Sequence, residues 1–243
     1  MFAGVGTLIN IATILVGSSL GIILGSRINK KSSNLITDIL GLITMLAATS
    51  ALIPLWSKEF RDALPNGAPL LVILAAMLLG GLIGSALKLE KRLNSFGDAL
   101  RKKFRASSES KFVEGFVSAS LLFVIGPLAI LGSISDGMST GIDQLLLKSA
   151  LDFFAGMAFA STLGWGVAAS AIPVAIYQGG WTVIGFFLGN VLSQYQIDAM
   201  TICGGLLLVG IALRLLDIKK IPVANLLPAL IFAPLFATLI ANL

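Results

Sequence analysis

Residues 3–25 read AGVGTLINIATILVGSSLGIILG, and Arg27 is the first charged residue of the chain. The hydrocarbon core of a bilayer is about 30 Å thick, and a helix needs roughly 20 predominantly apolar residues to cross it. This stretch therefore has the length and the composition of a transmembrane helix. Because no small-residue cleavage site stands out, we interpret it as a retained span and not as a signal peptide.

The composition of the whole chain agrees with this interpretation. Of the 243 residues, 56% are hydrophobic and only 12% are charged. Ordinary soluble domains carry about 25% charged residues, which cover the surface that faces water. The apolar runs are also too long and too continuous for the alternating strands of a transmembrane barrel. The sequence therefore predicts an all-α, polytopic integral membrane protein.

Eight apolar segments are candidate transmembrane helices. We interpret residues 1–243 as a single membrane domain, with spans one to three in 1–87, a linker in 88–111, and spans four to eight in 112–243. The eight candidates cover residues 3–25, 35–56, 69–87, 112–134, 149–175, 180–193, 197–216 and 221–241.

The basic residues lie mostly on one side of this arrangement. Of the 17 Lys and Arg residues, 14 fall on one side, and Lys58, Arg61 and Lys148 fall on the other. Since cytoplasmic loops carry an excess of Lys and Arg, both termini are predicted to lie outside. The net charge of +5 then reflects the excess of basic residues on the cytoplasmic side, where they can also contact anionic lipid. We therefore expect no nucleic-acid partner. The 14 residues are Arg27, Lys30, Lys31, Lys88, Lys91, Arg92, Arg101, Lys102, Lys103, Arg105, Lys111, Arg214, Lys219 and Lys220.

The linker, residues 88–111, has the pattern of an amphipathic helix on the cytoplasmic surface. Apolar residues recur in it at helical spacing among polar, mostly basic residues. A serine-rich joint follows this helix. The linker is either a plain connector between spans or a docking or regulatory surface. The apolar positions are Leu89, Leu93, Phe96, Leu100 and Phe104, and the joint contains Ser107, Ser108 and Ser110.

Several kinds of chemistry are excluded by residue type. The chain has no histidine, and Cys203 is its only cysteine, which excludes a His/Cys metal site and an intramolecular disulfide. No GxxxxGK[ST] loop occurs, so the chain carries no P-loop ATPase motif. Ser149 adjoins Lys148, but adjacent helical residues do not face each other, which makes that pair poor for catalysis. We expect no enzymatic activity, no metal and no cofactor.

The first and sixth candidate spans share a pattern. Residues 21–25 read GIILG and residues 185–189 read GFFLG, and a polar turn follows each. These spans cross in opposite directions in the eight-span arrangement, so the similarity predicts an inverted repeat, a common build of secondary transporters. Chance similarity between Gly-rich apolar helices is the alternative.

Small residues form a stripe along the first span, which favours close helix packing in lipid. Such a face also suits a homodimer or a solute path. Asn10 lies within the stripe, and an amide at membrane depth needs a partner on a neighbouring helix or on a bound polar solute. The stripe consists of Gly6, Asn10, Thr13, Gly17, Gly21 and Gly25.

The region from Gly126 to Lys148 is a candidate broken or re-entrant segment. Pro127 removes a backbone donor, and the glycines permit irregular backbone. Irregular backbone at membrane depth is tolerated only where it is buried or lines a wet cavity, where it can bind a polar solute. An external loop is the alternative. The candidate substrate-binding residues in this region are Gly126, Pro127, Gly132, Ser133, Ser135, Asp136 and Gly137.

Lys148 and Asp152 are separated by four residues, so they share one helical face and can form an ion pair. Asp152 is either half of a structural pair or a proton or cation site, since a carboxylate inside a bilayer is costly without a partner. Gln178 lies in a Tyr-Gln-Gly-Gly run that, with Pro173, predicts a sharp turn between the fifth and sixth spans. We add Asn10, Lys148, Asp152 and Gln178 to the candidate substrate-binding residues.

Three motifs together carry a family resemblance over essentially the whole chain. They are Gly6-Thr7-Leu8-Ile9-Asn10, then Gly126-Pro127-Leu128-Ala129-Ile130-Leu131-Gly132-Ser133 with Asp136-Gly137, and Lys148-Ser149-Ala150-Leu151-Asp152 with Gly164-Trp165-Gly166-Val167 and Tyr177-Gln178-Gly179. With these motifs the chain resembles the bacterial family called domain of unknown function 554, the YqgA/YdfK-like proteins. This chain has Phe153 where members often have glycine. The resemblance implies a multi-pass protein of the bacterial inner (cytoplasmic) membrane, and it implies neither a substrate nor a catalytic role.

The leading hypothesis is a secondary transporter, or a transporter-like permease, for a small polar or ionic solute. The predicted repeat, the irregular central segment and the Lys148/Asp152 pair motivate it. A passive channel and a non-transporting membrane scaffold or sensor are the alternatives. The expected partners are the lipid bilayer, an unidentified solute or ion and a second copy of the chain.

Overall fold

The computed structural model describes residues 2–27, 29–65, 68–103, 111–189 and 192–242. Within these ranges the chain forms α-helices and two short 3₁₀ helices, Ile53–Trp56 and Val223–Leu226, and no strand. The predicted all-α class is confirmed. The α-helices are α1 (Val5–Gly25), α2 (Lys30–Leu52), α3 (Lys58–Asp62), α4 (Ala68–Ala86), α5 (Leu89–Lys103), α6 (Phe112–Val124), α7 (Pro127–Gly137), α8 (Asp143–Leu163), α9 (Trp165–Ala169), α10 (Ala171–Leu188), α11 (Gln194–Leu215) and α12 (Ala229–Ala241).

Seven helical segments in the described part of the chain are long and apolar enough to cross a membrane. An eighth is obtained if α6 and α7, which bend by 64° at their junction, count as one span. Large apolar side chains such as Leu46, Leu82 and Phe187 are more than half exposed on these segments. Such exposure suits side chains that face lipid, because lipid tails impose no penalty on apolar surface.

The fifth and sixth spans meet at Gly164, and not near Pro173 or residues 177–180 as expected. They cover Asp143–Leu163 and Trp165–Phe187. Gly164 has a φ of 74°, a conformation that glycine tolerates and that ends α8. Pro173 is the third residue of α10, where its missing N–H removes no intrahelical bond. The helix therefore continues through residues 177–180, and the sharp turn predicted there is wrong.

The described helices group into two compact units. Unit 1 comprises Met1–Leu40, Asn94–Val124 and Leu128–Val191, and unit 2 comprises Gly41–Leu93, Ile125–Pro127 and Leu192–Leu243. Unit 1 thus holds α1, α6, α8, α9, α10 and nearly all of α7, whereas unit 2 holds α4, α11 and α12. The single membrane domain stays a prediction.

Unit 1 is built on a close approach between α1 and α8. A Cβ atom added to Gly17, Gly21 or Gly25 would lie 2.1–2.3 Å from a backbone carbonyl oxygen of α8, so only glycine allows this contact. The contacts follow the same order along both helices, which therefore run parallel. This packing confirms the close contact predicted for the small-residue stripe of the first span. The facing carbonyls belong to Phe153, Met157 and Ser161.

The bent pair of α6 and α7 extends from one end of unit 1 to the other. At its start, the backbone of Phe112 lies against Gly166, at the beginning of the sixth span. At its end, Gly137 lies against the carbonyl of Thr182, near the other end of that span. The pair therefore follows the neighbouring helices along their length. The described residues hold seven candidate spans, or eight if this pair is one span.

The central segment is less irregular than the sequence suggested. The chain breaks at Ile125 and Gly126, where Gly126 has a φ of 136°, and Pro127 then begins α7. Proline suits the first position of a helix because its missing N–H is not needed there. Gly132 and Gly137 lie within α7, so the prediction of open backbone at these glycines is wrong. Irregular backbone returns only at residues 138–142, before α8.

Unit 2 combines an apolar core with a polar anchor at the start of α5. Glu90 accepts hydrogen bonds from Arg214, at 2.6 Å, and from the backbone N–H of Ala224, at 2.9 Å. Its own N–H donates to Asn225 at 2.8 Å. These bonds hold the ends of three elements of unit 2 together. The buried core consists of Phe60, Leu64, Val72, Ile73, Ala76, Ala199, Ile202, Cys203, Leu230, Ala233 and Ala237.

The predicted amphipathic helix is present as α5. Leu100 is buried in it, whereas the basic residues Lys91, Arg92, Lys102 and Lys103 are exposed. Phe104 and the serine joint at 107–110 lie outside the described residues. The helix is thus seen over Leu89–Lys103, and its docking or regulatory role stays a prediction.

The contact between α1 and α8 can be tested with single methyl groups. Gly21→Ala would place a Cβ 2.1 Å from the carbonyl oxygen of Met157. We expect it to destabilise the protein by about 1–3 kcal/mol through overpacking. Gly180→Ala is the matched control, because a Cβ there meets no atom within 4 Å. Thermal unfolding in detergent, followed by size-exclusion chromatography, measures both, and equal stabilities would contradict the packing described.

Candidate functional site

Four polar side chains that the sequence singled out meet in the interior of unit 1. Asn10 on α1 donates through Nδ2 to Asp152 Oδ2 at 3.0 Å and to Gln178 Oε1 at 3.2 Å. Lys148 donates to the same Asp152 oxygen, which confirms the predicted pair on α8. Asn10 and Gln178 are fully buried, and Lys148 and Asp152 nearly so. We call these four residues the polar cluster.

The helices place the polar cluster at membrane depth. With a rise of 1.5 Å per residue, Asn10 lies about 8 Å from the start of α1 and Asp152 about 14 Å from the start of α8. Gln178 lies about 15 Å before the end of α10 by the same rise. These three helix ends lie on one side of unit 1, so the cluster occupies the half of the bundle nearer that side.

An aromatic ring closes one side of the polar cluster. The Lys148 ammonium lies 5.9 Å from the centroid of the Phe123 ring on α6. A cation over an aromatic face is attracted by the negative face of the ring, and the attraction is larger away from water. Phe123 therefore helps to hold a buried ammonium that has Asp152 as its counter-charge.

Two amide atoms of the polar cluster have no hydrogen-bond partner. They are Oδ1 of Asn10, an acceptor, and Nε2 of Gln178, a donor. Leaving a buried polar atom unsatisfied costs about 1–3 kcal/mol. A polar solute that bonds to either atom would recover this cost, so the cluster has unused binding capacity.

Asp136 forms a second polar contact, at the start of α1. Its carboxylate accepts hydrogen bonds from the backbone N–H groups of Gly4 and Thr7, at 3.1 Å and 3.0 Å. The first N–H groups of a helix lack partners within the helix and carry partial positive charge, so a carboxylate is stabilised there. Asp136 therefore caps α1 from α7.

A threonine pair lies next to this cap. The hydroxyls of Thr7 and Thr182 are 3.0 Å apart and share a hydrogen bond. Thr7 precedes Asn10 by three residues and Thr182 follows Gln178 by four, so each lies on the same helical face as a cluster residue. Neither threonine, nor Phe123, was predicted from the sequence as a site residue. The two threonines could have been predicted, because each is separated by one helical turn from Asn10 or Gln178.

The other predicted site residues form no hydrogen bond with the polar cluster. Gly132 packs beside Leu145, and Gly137 packs beside Thr182. The buried Ser133 hydroxyl has no partner, and Ser135 is half-buried. Gly126 and Pro127 form the junction that precedes α7. Of the central segment, the structure thus brings Asp136 and Gly137 to the threonine pair and none of the predicted residues into hydrogen-bond contact with Asn10. Their role in binding stays a prediction.

Two further features of the described residues bear on solute and metal binding. A cavity of about 840 Å³ in unit 1 is lined by apolar residues only, among them Ile11, Leu15, Trp165 and Ile176. It offers no charged or amide side chain to a polar solute. No group of three or more Asp, Glu, His or Cys residues that could hold a metal ion occurs in the part of the chain that was described.

The seven or eight apolar helical segments among the described residues define a polytopic helical membrane protein. The chain belongs to the family described as "Protein of unknown function (DUF554)", whose model matches residues 5–238. The family resemblance inferred from the sequence motifs is thereby confirmed.

Two relatives cover nearly the whole chain. It is 30% identical over 229 residues to "Uncharacterized membrane protein YdfK" from Bacillus subtilis (strain 168), with 94% of this chain and 93% of the relative aligned. It is 31% identical over 233 residues to "Uncharacterized protein YqgA" from Escherichia coli (strain K12), with 94% of each chain aligned. No solved structure matches the chain. A membrane location is supported by the spans and by the first relative's name.

The Lys148–Asp152 pair can be measured with a double-mutant cycle. Removing one partner of a buried pair leaves an uncompensated charge and costs about 3–5 kcal/mol. Lys148→Met and Asp152→Asn should therefore each destabilise strongly, whereas the double variant should be less destabilised than their sum by about 1–3 kcal/mol. Thermal unfolding in detergent gives the coupling.

The exposed pair of Lys220 and Asp217 is the control for this cycle. Its atoms are 3.8 Å apart, and the two side chains are 77% and 84% exposed. Since exposed pairs contribute little, the cycle of Lys220→Met and Asp217→Asn should show almost no coupling. Equal coupling in both cycles would show that Lys148 and Asp152 are not a buried pair.

Proposed function

We propose that the chain is a transporter-like permease for a small polar or ionic solute, with its binding site at the polar cluster. The observation that carries the proposal is the pair of unpartnered amide atoms on Asn10 and Gln178, both fully buried within membrane-spanning helices. Polar groups inside a membrane are costly and tend to mark solute or ion pathways. The proposed chemistry is binding and passage, without a covalent step.

The contacts between α1 and α10 support an inverted repeat. Thr7 contacts Thr182 and Asn10 contacts Gln178, so residue numbers rise on one helix as they fall on the other. The two helices are therefore antiparallel, as an inverted repeat of residues 21–25 and 185–189 requires. Solute sites of such transporters lie where the repeats meet, near the bilayer midplane. The polar cluster joins α1 and α10, the two helices of the proposed repeat.

We also propose the orientation and the membrane. The helix bounds leave 14 of the 17 basic residues on one side of an eight-span chain, which favours a cytoplasmic location for α5 and an external location for both termini. The family relatives are bacterial, which supports the inner (cytoplasmic) membrane. A homodimer through small-residue faces stays a prediction.

Single cysteines test the orientation. In a Cys203→Ala background, Phe2→Cys should react with a membrane-impermeant maleimide on intact spheroplasts, because Phe2 is 65% exposed and is proposed to lie outside. Lys102→Cys, on the exposed basic face of α5, should react only after the membrane is permeabilised. The reverse labelling pattern would invert the proposed topology.

Flux into proteoliposomes tests the function. The full chain should carry at least one solute or ion of a broad panel faster than protein-free liposomes, with a rate that saturates. Asp152→Asn leaves Lys148 without its counter-charge beside Asn10, so we expect it to lower the flux by about ten-fold or more. Isotope or dye uptake measures the rates.

Asp143→Asn is the matched control, because Asp143 is an exposed carboxylate on the same helix. It should leave the flux unchanged. Ohmic single-channel current without saturation would favour a passive channel instead. No flux of any member of the panel would count against both a permease and a channel.

A further inference from the structure

The two amides of the polar cluster offer one free acceptor and one free donor. Asn10 Nδ2 already donates to Asp152 and Gln178, which leaves Asn10 Oδ1 free to accept. Gln178 Oε1 already accepts from Asn10, which leaves Gln178 Nε2 free to donate. The orientation of each amide follows from these bonds, because turning either one would break the contact between them.

The free atoms lie close enough together for one small solute. The two amides are joined by the 3.2 Å hydrogen bond between Asn10 Nδ2 and Gln178 Oε1. Adding the width of each amide group, Asn10 Oδ1 and Gln178 Nε2 are separated by about 8 Å at most. A molecule of a few heavy atoms, with a donor and an acceptor at its two ends, is therefore long enough to bond to both.

The charges around these atoms are already compensated. Lys148 and Asp152 neutralise each other through their direct bond. Asp136 is held by two N–H groups at the start of α1, where the helix carries partial positive charge. An ion entering the cluster would lose its hydration without meeting a free counter-charge, which is costly. A neutral solute has no charge to compensate, and its polar groups can bond to the two free amide atoms.

We infer that the polar cluster selects small net-neutral solutes that carry both a hydrogen-bond donor and an acceptor, such as amide and hydroxyl compounds. The donor of the solute binds Asn10 Oδ1, and its acceptor binds Gln178 Nε2. This inference rests on the proposed function, which it narrows from polar or ionic solutes to neutral ones.

Matched pairs of neutral and charged probes test the selection. Urea and guanidinium have nearly the same shape, as do lactamide and lactate, and only the first of each pair is neutral. Proteoliposomes containing the full chain should pass urea and lactamide faster than protein-free liposomes, and should pass guanidinium and lactate no faster. Flux of the charged probes without the neutral ones would overturn the inference while leaving a transport function in place.

Binding to the detergent-purified chain separates this inference from transport. Urea and lactamide, at concentrations well below those that denature, should raise the unfolding temperature relative to guanidinium and lactate. If this ranking appears without flux, the site is selective and the transport proposal fails. If neither flux nor ranking appears, both proposals fail.

Variants at Gln178 test whether its free donor binds the solute. Gln178→Leu and Gln178→Met remove the free donor, and either should lower the flux of lactamide by about five- to ten-fold, the size of one lost hydrogen bond. Gln144→Leu replaces an exposed glutamine on α8 and should change nothing. Size-exclusion profiles show whether each variant is folded. Wild-type flux in both folded Gln178 variants would overturn the assignment of this donor.

Discussion

The backbone contact between α1 and α8 is the interaction on which unit 1 depends. Three glycines at four-residue spacing let α1 approach the carbonyl oxygens of α8 at distances that exclude any side chain. Close approach in lipid maximises van der Waals contact, which replaces the hydrophobic driving force that water provides elsewhere. The same approach brings the short Asn10 side chain within 3.0 Å of Asp152. A wider separation of the two helices would break the hydrogen bond between Asn10 and Asp152.

The bilayer then decides how the polar groups are arranged. Water is not available at membrane depth, so each buried polar group must find a partner within the protein or on a solute. Asp136 caps α1, and Lys148 neutralises Asp152. Unit 1 thus satisfies its charged groups internally. Unit 1 leaves several buried polar atoms unpartnered, and among them are the two amide atoms on Asn10 and Gln178 that we propose bind a molecule from outside.

Local spacing was sufficient to predict part of the site. The pairing of Lys148 with Asp152 follows from a four-residue separation on a helix, and the need of Asn10 for a partner follows from its place in an apolar span. The helical path through residues 177–180 was not predictable in this way, because glycine and proline mark turns in water but are tolerated within membrane helices. The break at Gly164 was hidden because no charged residue or proline occurs between Asp152 and Pro173 to mark a boundary.

The sequence by itself determined the all-α membrane class and the asymmetry of basic charge, because these depend on composition and on runs of adjacent residues. The tertiary structure alone decided which polar side chains from different helices meet. Asn10 and Gln178 are 168 residues apart, and no local pattern links them. Their contact depends on α1 packing parallel to α8 and antiparallel to α10, which is set by the shapes of helix surfaces and not by the order of residues along the chain.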